Sequence, residues 1–272
     1  MKNNKSTSRQ WRIMALCGLL STLVLVVGFG FGVANILSPA SVPFAQVPTE
    51  NTPKVENEAN SNEIRIVSIG DSLTRGTGDG TGDGYVRRVV RLLKEEQDKP
   101  VTLLNNLGIN GLRADQLSQR LQEQSMGYTL KQADVILLTI GGNDLFQSAQ
   151  ADQLSDKELD KEAMLAKVDK SIPHLSQVLS SLRKWNPHAR IVYAGLYNPF
   201  ADLAEMREIG NSVVQKWNDE AYQIINKDPN MVLVPTHDLF QQNINKHLSS
   251  DHFHPNDKGY EAIAKRIVQS IH

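Results

Sequence analysis

Acyl transfer by a side-chain nucleophile needs a hydroxyl or thiol, a base to take its proton, a group to orient that base, and N–H donors for the oxyanion. Four short stretches of the 272-residue chain carry residue types suited to these roles. Gly70-Asp71-Ser72-Leu73 presents a serine behind a glycine that permits a sharp exit from an apolar run. Read alone, that serine fits a helix N-cap better than a nucleophile. Asn106-Leu107-Gly108-Ile109-Asn110-Gly111 has two glycines three apart, which suits a turn with outward-pointing N–H groups, although turn chemistry alone explains it. Gly141-Gly142-Asn143-Asp144 can aim an amide into a cleft or form an ordinary turn. Asp251-His252-Phe253-His254-Pro255 puts a carboxylate three residues before an imidazole. Pro255 biases His254 away from helical geometry, which predicts a loop. On a loop, Asp251 can meet Nδ1 of His254 and leave Nε2 free as a base.

Together the four stretches form one chemical set. Ser72, His254 and Asp251 fill the first three roles, and the backbone N–H groups of Ser72 and Gly111 with the Asn143 amide fill the fourth. No G-x-S-x-G element is present, and the serine precedes the Asp-His pair by most of the domain, so the nucleophile elbow of α/β-hydrolases is absent. A metal site on Asp251, His252 and His254 is the competing reading; it lacks a third histidine nearby, and His252 by default is an exposed loop residue. His237-Asp238 reads as a strand-to-helix connection, because adjacent side chains point apart. Gly76–Gly84 (GTGDGTGDG) matches neither a dinucleotide nor a P-loop pattern and lacks the acidic twelfth ligand of an EF-hand; it reads as a flexible loop at the cleft mouth. Tyr193 reads as core, whereas Tyr197 and Phe200 could line an acyl pocket.

These positions need a scaffold, and apolar runs alternating with amphipathic stretches supply one. Ile64–Ile69, Val101–Leu104, Val135–Ile140, Ile191–Leu196 and Met231–Val234 read as strands. Val135–Ile140 is apolar at nearly every position, as in a strand buried on both faces. Tyr85–Gln97, Leu112–Gln122, Leu165–Trp185, Ile209–Ile225 and Lys258–Ile271 read as helices. Such alternation predicts an α/β domain with a five-stranded parallel sheet covered by helices on both faces. Ligands of such sheets bind beyond the carboxyl ends of the strands, where the first three stretches fall. Gln147–Glu162, polar and acidic, reads as a surface insertion near that edge or a solvated helix start, and Lys157–Lys170 as a solvated helix face.

Charge and hydropathy divide the chain further. Residues 1–12 hold Lys2, Lys5, Arg9 and Arg12 and no acid, and no charged residue occurs from Ile13 to Thr49. Within that gap, 13–37 is a run of 25 mostly apolar residues, long enough to cross a bilayer as a helix. The basic flank places the N-terminus in the cytoplasm and the rest outside. The run is an uncleaved signal-anchor or, with Ser38-Pro39-Ala40 as small residues for processing, a signal peptide. Localisation follows: a single-pass membrane protein with an extracellular C-terminal domain, or a secreted one. Residues 38–62, rich in Pro, Ser, Asn, Thr and Glu, read as a flexible tether, and 63–272 as one domain. A net charge of −1 and pI near 6.7 offer no footprint for nucleic acid. A single cysteine, Cys17, rules out an internal disulfide framework and multi-cysteine zinc sites.

GDSL at 70–73, NLGING at 106–111, GGND at 141–144 and DHFH at 251–254 resemble, in order, the four hallmark blocks of the SGNH, or GDSL, hydrolase superfamily. The resemblance covers essentially residues 63–272, and the exported layout is similar to a Gram-positive subgroup of it. It implies a flavodoxin-like α/β/α sandwich and ester hydrolysis without a metal or organic cofactor. It implies Ser72 as nucleophile and oxyanion donor, Gly111 and Asn143 as further oxyanion donors, and Asp251 and His254 as the rest of the triad. The expected partners are small-molecule, lipid or acylated-glycan esters: a lipase or acylhydrolase, or an esterase removing O-acetyl groups from cell-wall or extracellular glycan. A non-catalytic surface module binding glycan or lipid is the reading from another class.

Overall fold

A computed structural model describes residues 5–37, 63–150, 160–242 and 244–271. The chain forms two compact units, Met1–Glu58 and Ala59–His272. In the first, one helix, α1 (Lys5–Leu37), is described. The expected tether at 38–62 and residues 151–159 of the expected insertion lie outside the described residues. So do the side chains of residue 13 and of residues 30–37, and the expected span at 13–37 is described only in part. Among the described residues no helix is long and apolar enough to cross a membrane, so the fold does not support that span.

The second unit alternates strands and helices. In chain order they are β1 (Ile64–Gly70), α2 (Ser72–Arg75), α3 (Gly84–Glu96), β2 (Val101–Gly108), α4 (Ala114–Arg120), α5 (Gln124–Leu130), β3 (Val135–Thr139), α6 (Gly142–Gln150) and α7 (Lys161–Trp185), followed by β4 (Arg190–Ala194), α8 (Ala204–Ile225), β5 (Met231–Val234), α9 (His237–Gln241), α10 (Ile244–His247) and α11 (Asp257–Ile271). The strands form one parallel sheet ordered β2-β1-β3-β4-β5. The chain leaves β1 toward one edge and returns past it to β3, so the direction of winding reverses between these two strands. Loops diverge at such a switch point and open a crevice at the strand ends.

Successive strand residues point to opposite faces, and each strand feeds two cores. Ile136, Leu138, Ile191 and Tyr193 pack with Leu117 of α4, Leu179 of α7 and Trp217 of α8. Val135, Leu137, Val192 and Ala194 pack on the other face with Val86, Val89 and Leu93 of α3 and Tyr260, Ile263 and Ile267 of α11. The 86-89-90-93 spacing on α3 is the stripe that one helix face presents. The α/β class, the five parallel strands and the two helical layers expected from the sequence are all present.

Several boundaries differ from expectation for identifiable reasons. β2 continues past Leu104 through Asn105 and Asn106 to Gly108, because an edge strand needs backbone pairing rather than apolar side chains, and its register shifts opposite Ile66 and Val67. The helix expected at 112–122 is shorter, and α5 follows it; Gly127 of α5 sits against the Trp185 ring, so close that a Cβ would lie 2.2 Å from it. α8 starts at Ala204, earlier than apolar periodicity indicates.

Leu138 has no exposed surface at the centre of the sheet, and its removal leaves a cavity the flanking strands cannot close. Leu138→Ala is expected to destabilise the domain by about 2–5 kcal/mol, read from the chemical-denaturation midpoint at unchanged slope.

Candidate active site

Three of the four sequence blocks emerge at the switch-point edge of the sheet and the fourth closes over them. Ser72 follows β1 as the first residue of α2, a single helical turn. A lone turn is not stable by itself, and its ends are tied down. The Asp71 carboxylate accepts from the Leu73 N–H at 3.1 Å, and Gly76, at φ 91, turns the chain out of the helix.

Ser72 Oγ lies 2.8 Å from His254 Nε2, across 182 residues of chain. His254 Nδ1 lies 2.6 Å from Asp251 Oδ2. The carboxylate imposes the tautomer in which Nδ1–H donates to it, and Nε2 is left to accept the serine proton. Asp251 Oδ1 also accepts from Ser249 Oγ, Phe253 N and His254 N, at 2.7, 3.0 and 2.9 Å. Burial works to raise the Asp251 carboxyl, but the bonds from His254, Ser249 and the two amides outweigh it and hold it at about 2. It is thus ionised at neutral pH. The tight turn that brings Asp251 round to His254 passes through His252, which has φ 54, the left-handed region. His252 is exposed, and among the described residues no group of three His, Cys, Asp or Glu side chains could hold a metal ion.

On the other side of Ser72, Gly111 lies in the loop after β2, at φ 74. Asn143, buried at the start of α6, donates one Nδ2–H to Leu112 O at 3.0 Å. Its amide carries a second Nδ2–H besides the one given to Leu112. The next residue, Asp144, accepts from Ala114 N at 3.0 Å. Two consecutive residues of α6 therefore grip the Gly111–Ala114 loop. Burial pushes the Asp144 carboxyl up to about 6, against the pull of that amide. A serine hydroxyl bonded to an imidazole that is itself bonded to an ionised carboxylate has the residue types that activate a nucleophile for acyl transfer. Asp144 belongs to a quoted block, yet no spacing argument gave it a role.

The Gly76–Gly84 segment corrects the expectation of a flexible loop. Asp79 has no exposed side-chain surface; it accepts from Thr81 N, Thr81 Oγ1 and Gly84 N at 3.0, 2.9 and 2.8 Å and is ion-paired with Arg88 of α3. Tyr260 of α11 donates to Thr77 O at 2.7 Å. Gly78, at φ 91, packs directly on the histidine loop: a Cβ there would lie 2.6 Å from Pro255 O and 2.8 Å from His254 Cβ. The segment packs behind the histidine loop, held by the Asp79 carboxylate, Arg88 and Tyr260 and touching that loop through Gly78.

The aromatic positions divide. Tyr193 is core, with its hydroxyl donating to Ile140 O at 2.8 Å. Tyr197 stacks on Phe240, donates to Phe253 O at 2.8 Å, and so anchors the histidine loop. It lines, with Phe146, Leu196 and Phe253, an apolar cavity of about 20 Å³, room for one water rather than an acyl chain. Phe200 packs edge-on to Phe146. His237 and Asp238 have separate partners, Asn211 and Arg266, as expected of a strand-to-helix connection. Beside Gly111 a wider groove of about 510 Å³ is lined by Asn110, Gln116, Gln119, Arg120 and Glu123, with Ile109 and Leu112 as its apolar part.

The family model of the GDSL-like Lipase/Acylhydrolase family matches residues 68–262. The protein YpmR of Bacillus subtilis (strain 168) is 34% identical over 226 residues, 82% of this chain and 87% of its own. The spore germination lipase LipC of Bacillus licheniformis is 28% identical over 209 residues, 75% of this chain and 94% of its own. Among solved structures, the lipase Lip_vut3 from a goat rumen metagenome superposes with a TM-score of 0.67 at 27% identity, covering 76% of this chain and 97% of that one.

Two outcomes follow. Gly78→Ala is expected to push His254 off Ser72 and slow labelling by a fluorophosphonate serine probe about 10-fold or more, as small misplacements of reacting groups do. Asp79 is held at about 2 because bonds from Arg88, Thr81 and Gly84 outweigh its burial. A depressed carboxyl stabilises the fold above its ordinary value of 3.8, and that contribution is lost as pH falls toward about 2. In Asp79→Asn, stability measured by urea denaturation should vary less steeply with pH across that window.

Proposed function

The chain belongs to the GDSL-like Lipase/Acylhydrolase family and is a carboxylic ester hydrolase; we propose that it acts through a Ser72–His254–Asp251 triad, with the N–H groups of Ser72 and Gly111 and the Asn143 amide as oxyanion donors. The observation that carries this reading is the unbroken run of two short hydrogen bonds, Asp251 to His254 at 2.6 Å and His254 to Ser72 at 2.8 Å.

His254 Nε2 takes the Ser72 proton as Oγ attacks the ester carbonyl. A C–O bond forms, and the carbonyl π pair moves onto oxygen, where the three donors stabilise it. The imidazolium returns its proton to the departing alcohol as the C–O bond to that alcohol breaks. Water, deprotonated by the same nitrogen, then releases the acid by the reverse path. Asp251 stays ionised throughout and offsets the positive charge on His254.

We further infer that the enzyme works outside the cytoplasmic membrane, held by its N-terminal segment or secreted after cleavage. The support is the basic first twelve residues, the uncharged run 13–37, and large apolar side chains from Trp11 to Phe29 that are exposed along α1. A second reading, removal of O-acetyl groups from a surface glycan, is favoured by the polar groove beside Gly111, whose amide and guanidinium groups suit a hydroxyl-rich alcohol better than a lipid.

Ser72→Ala is expected to keep the circular-dichroism spectrum and melting temperature and to lose hydrolysis of p-nitrophenyl acetate by more than about 10³-fold. Full activity in that variant would refute the role of Ser72. Probe labelling that depends on Ser72 separates the enzyme from a binding module. A panel of p-nitrophenyl esters of increasing acyl length, run beside acetylated sugars, separates the two substrate readings.

A further inference from the structure

Behind Ser72 lies a line of buried hydroxyls that the proposed chemistry does not use. Asp71, Thr74, Tyr85 and Thr139 are each at most 2% exposed. Thr139 Oγ1 donates to Asp71 Oδ1 at 2.7 Å. A threonine hydroxyl has one proton, so the 2.7 Å contact between Thr74 Oγ1 and Thr139 Oγ1 requires Thr74 to be the donor. Thr74 Oγ1 also lies 3.3 Å from Ile69 O, a longer contact; with its proton directed to Thr139, its 2.9 Å contact with Tyr85 OH has Tyr85 as donor. The protons run one way, from Tyr85 through Thr74 and Thr139 to the carboxylate of Asp71. Thr139 Oγ1 also accepts from Thr74 N at 3.2 Å, which completes its hydrogen-bonding capacity.

The placement of Thr139 makes this more than a buried network. It ends β3, and four residues later the same segment delivers Asn143. Its carbonyl accepts from Asp71 N at 3.1 Å, and it lies so near Gly70 that a Cβ there would be 1.9 Å away. The segment between is itself rigid: Ile140 O accepts from Tyr193 OH, which in turn accepts from Trp217 Nε1 at 2.7 Å. One hydroxyl thus joins both ends of the one-turn helix that carries Ser72, at Asp71 and Thr74, to the strand end that carries Asn143.

We propose that Thr139 is a positioning residue: its hydroxyl, oriented by Thr74 and Tyr85, locks the Ser72 turn to the Asn143 segment so that nucleophile and oxyanion donor keep one fixed spacing. The proposal rests on the ester-hydrolase role given to Ser72. A methyl in place of the hydroxyl preserves the volume of the side chain but removes one of the two donors to Asp71 Oδ1, leaves Thr74 N without its acceptor and frees the turn to shift.

The test uses the full chain, with Thr139→Val, Thr139→Ser and Tyr85→Phe measured beside wild type and Ser72→Ala. Melting temperature is recorded for each. For Thr139→Val the expectation is a fall of about 10²-fold in kcat for p-nitrophenyl acetate and in the rate of fluorophosphonate labelling, with KM changed by less than about threefold. Thr139→Ser, which restores the hydroxyl, should return both to within about threefold of wild type. Tyr85→Phe should lower kcat in the same direction by a smaller factor. A wild-type rate in Thr139→Val, or in Tyr85→Phe should the valine variant not fold, overturns the proposal, as does a serine variant impaired as much as the valine one. Wild type that neither labels nor hydrolyses any ester refutes the role of Ser72 itself. A labelled wild type with an equally fast Thr139→Val refutes the positioning role alone.

Discussion

The hydrogen bond between Ser72 and His254 is the contact on which the reactive arrangement depends. Neither partner can hold it unaided. Ser72 stands on a four-residue helix that has no stability of its own, and His254 stands on a loop arriving 182 residues later. A distance of 2.8 Å between two such groups requires that each be fixed from several directions. Several polar contacts near the site serve that task. Asp251 binds Ser249, the Phe253 amide, and the amide and Nδ1 of His254; Tyr197 donates to the Phe253 carbonyl; and Gly78 closes from behind.

The sheet topology explains why these supports converge. Because winding reverses between β1 and β3, the loops after β1, β2 and β3 surround one crevice instead of lying side by side along an edge. The serine leaves β1, the Gly111 loop leaves β2 on one side and Asn143 leaves β3 on the other. Rigid strands set the distances between these positions, and short hydrogen bonds between the loops (Asn143 to Leu112, Asp144 to Ala114) refine them.

Charge is distributed unevenly around the imidazole. Asp251, with 43% of its side chain exposed, keeps its negative charge through hydrogen bonds. Asp71 is wholly buried on the opposite side, where loss of solvent raises its carboxyl and the donors Thr139 and Leu73, with the neighbouring His254, act to lower it. The two carboxylates therefore serve the site differently. One holds the His254 imidazole at the solvent edge, and the other caps the serine turn from within the core.

Much of this was legible in residue types and spacing. Alternating apolar runs determined the five strands and their helical covers, since burial on two faces leaves few alternatives. Glycine at strand ends, Asn143 after two glycines, and the Asp251–His254 spacing before Pro255 marked chemically able positions; each alone also suits an ordinary cap or turn, and only the set of four in order pointed to chemistry. What one dimension could not hold was the set of contacts between distant segments: Thr139 reaching Asp71, Asp144 reaching Ala114, Gly78 against His254, and a polar edge strand that pairs through its backbone. The loop 76–84 reads as mobile because glycine is permissive, yet one buried ion pair between Asp79 and Arg88 makes it a wall. Local sequence determines which conformations and chemistries a segment can adopt; only the packed chain decides which partners meet, because the energy that selects among them comes from contacts between segments remote in sequence.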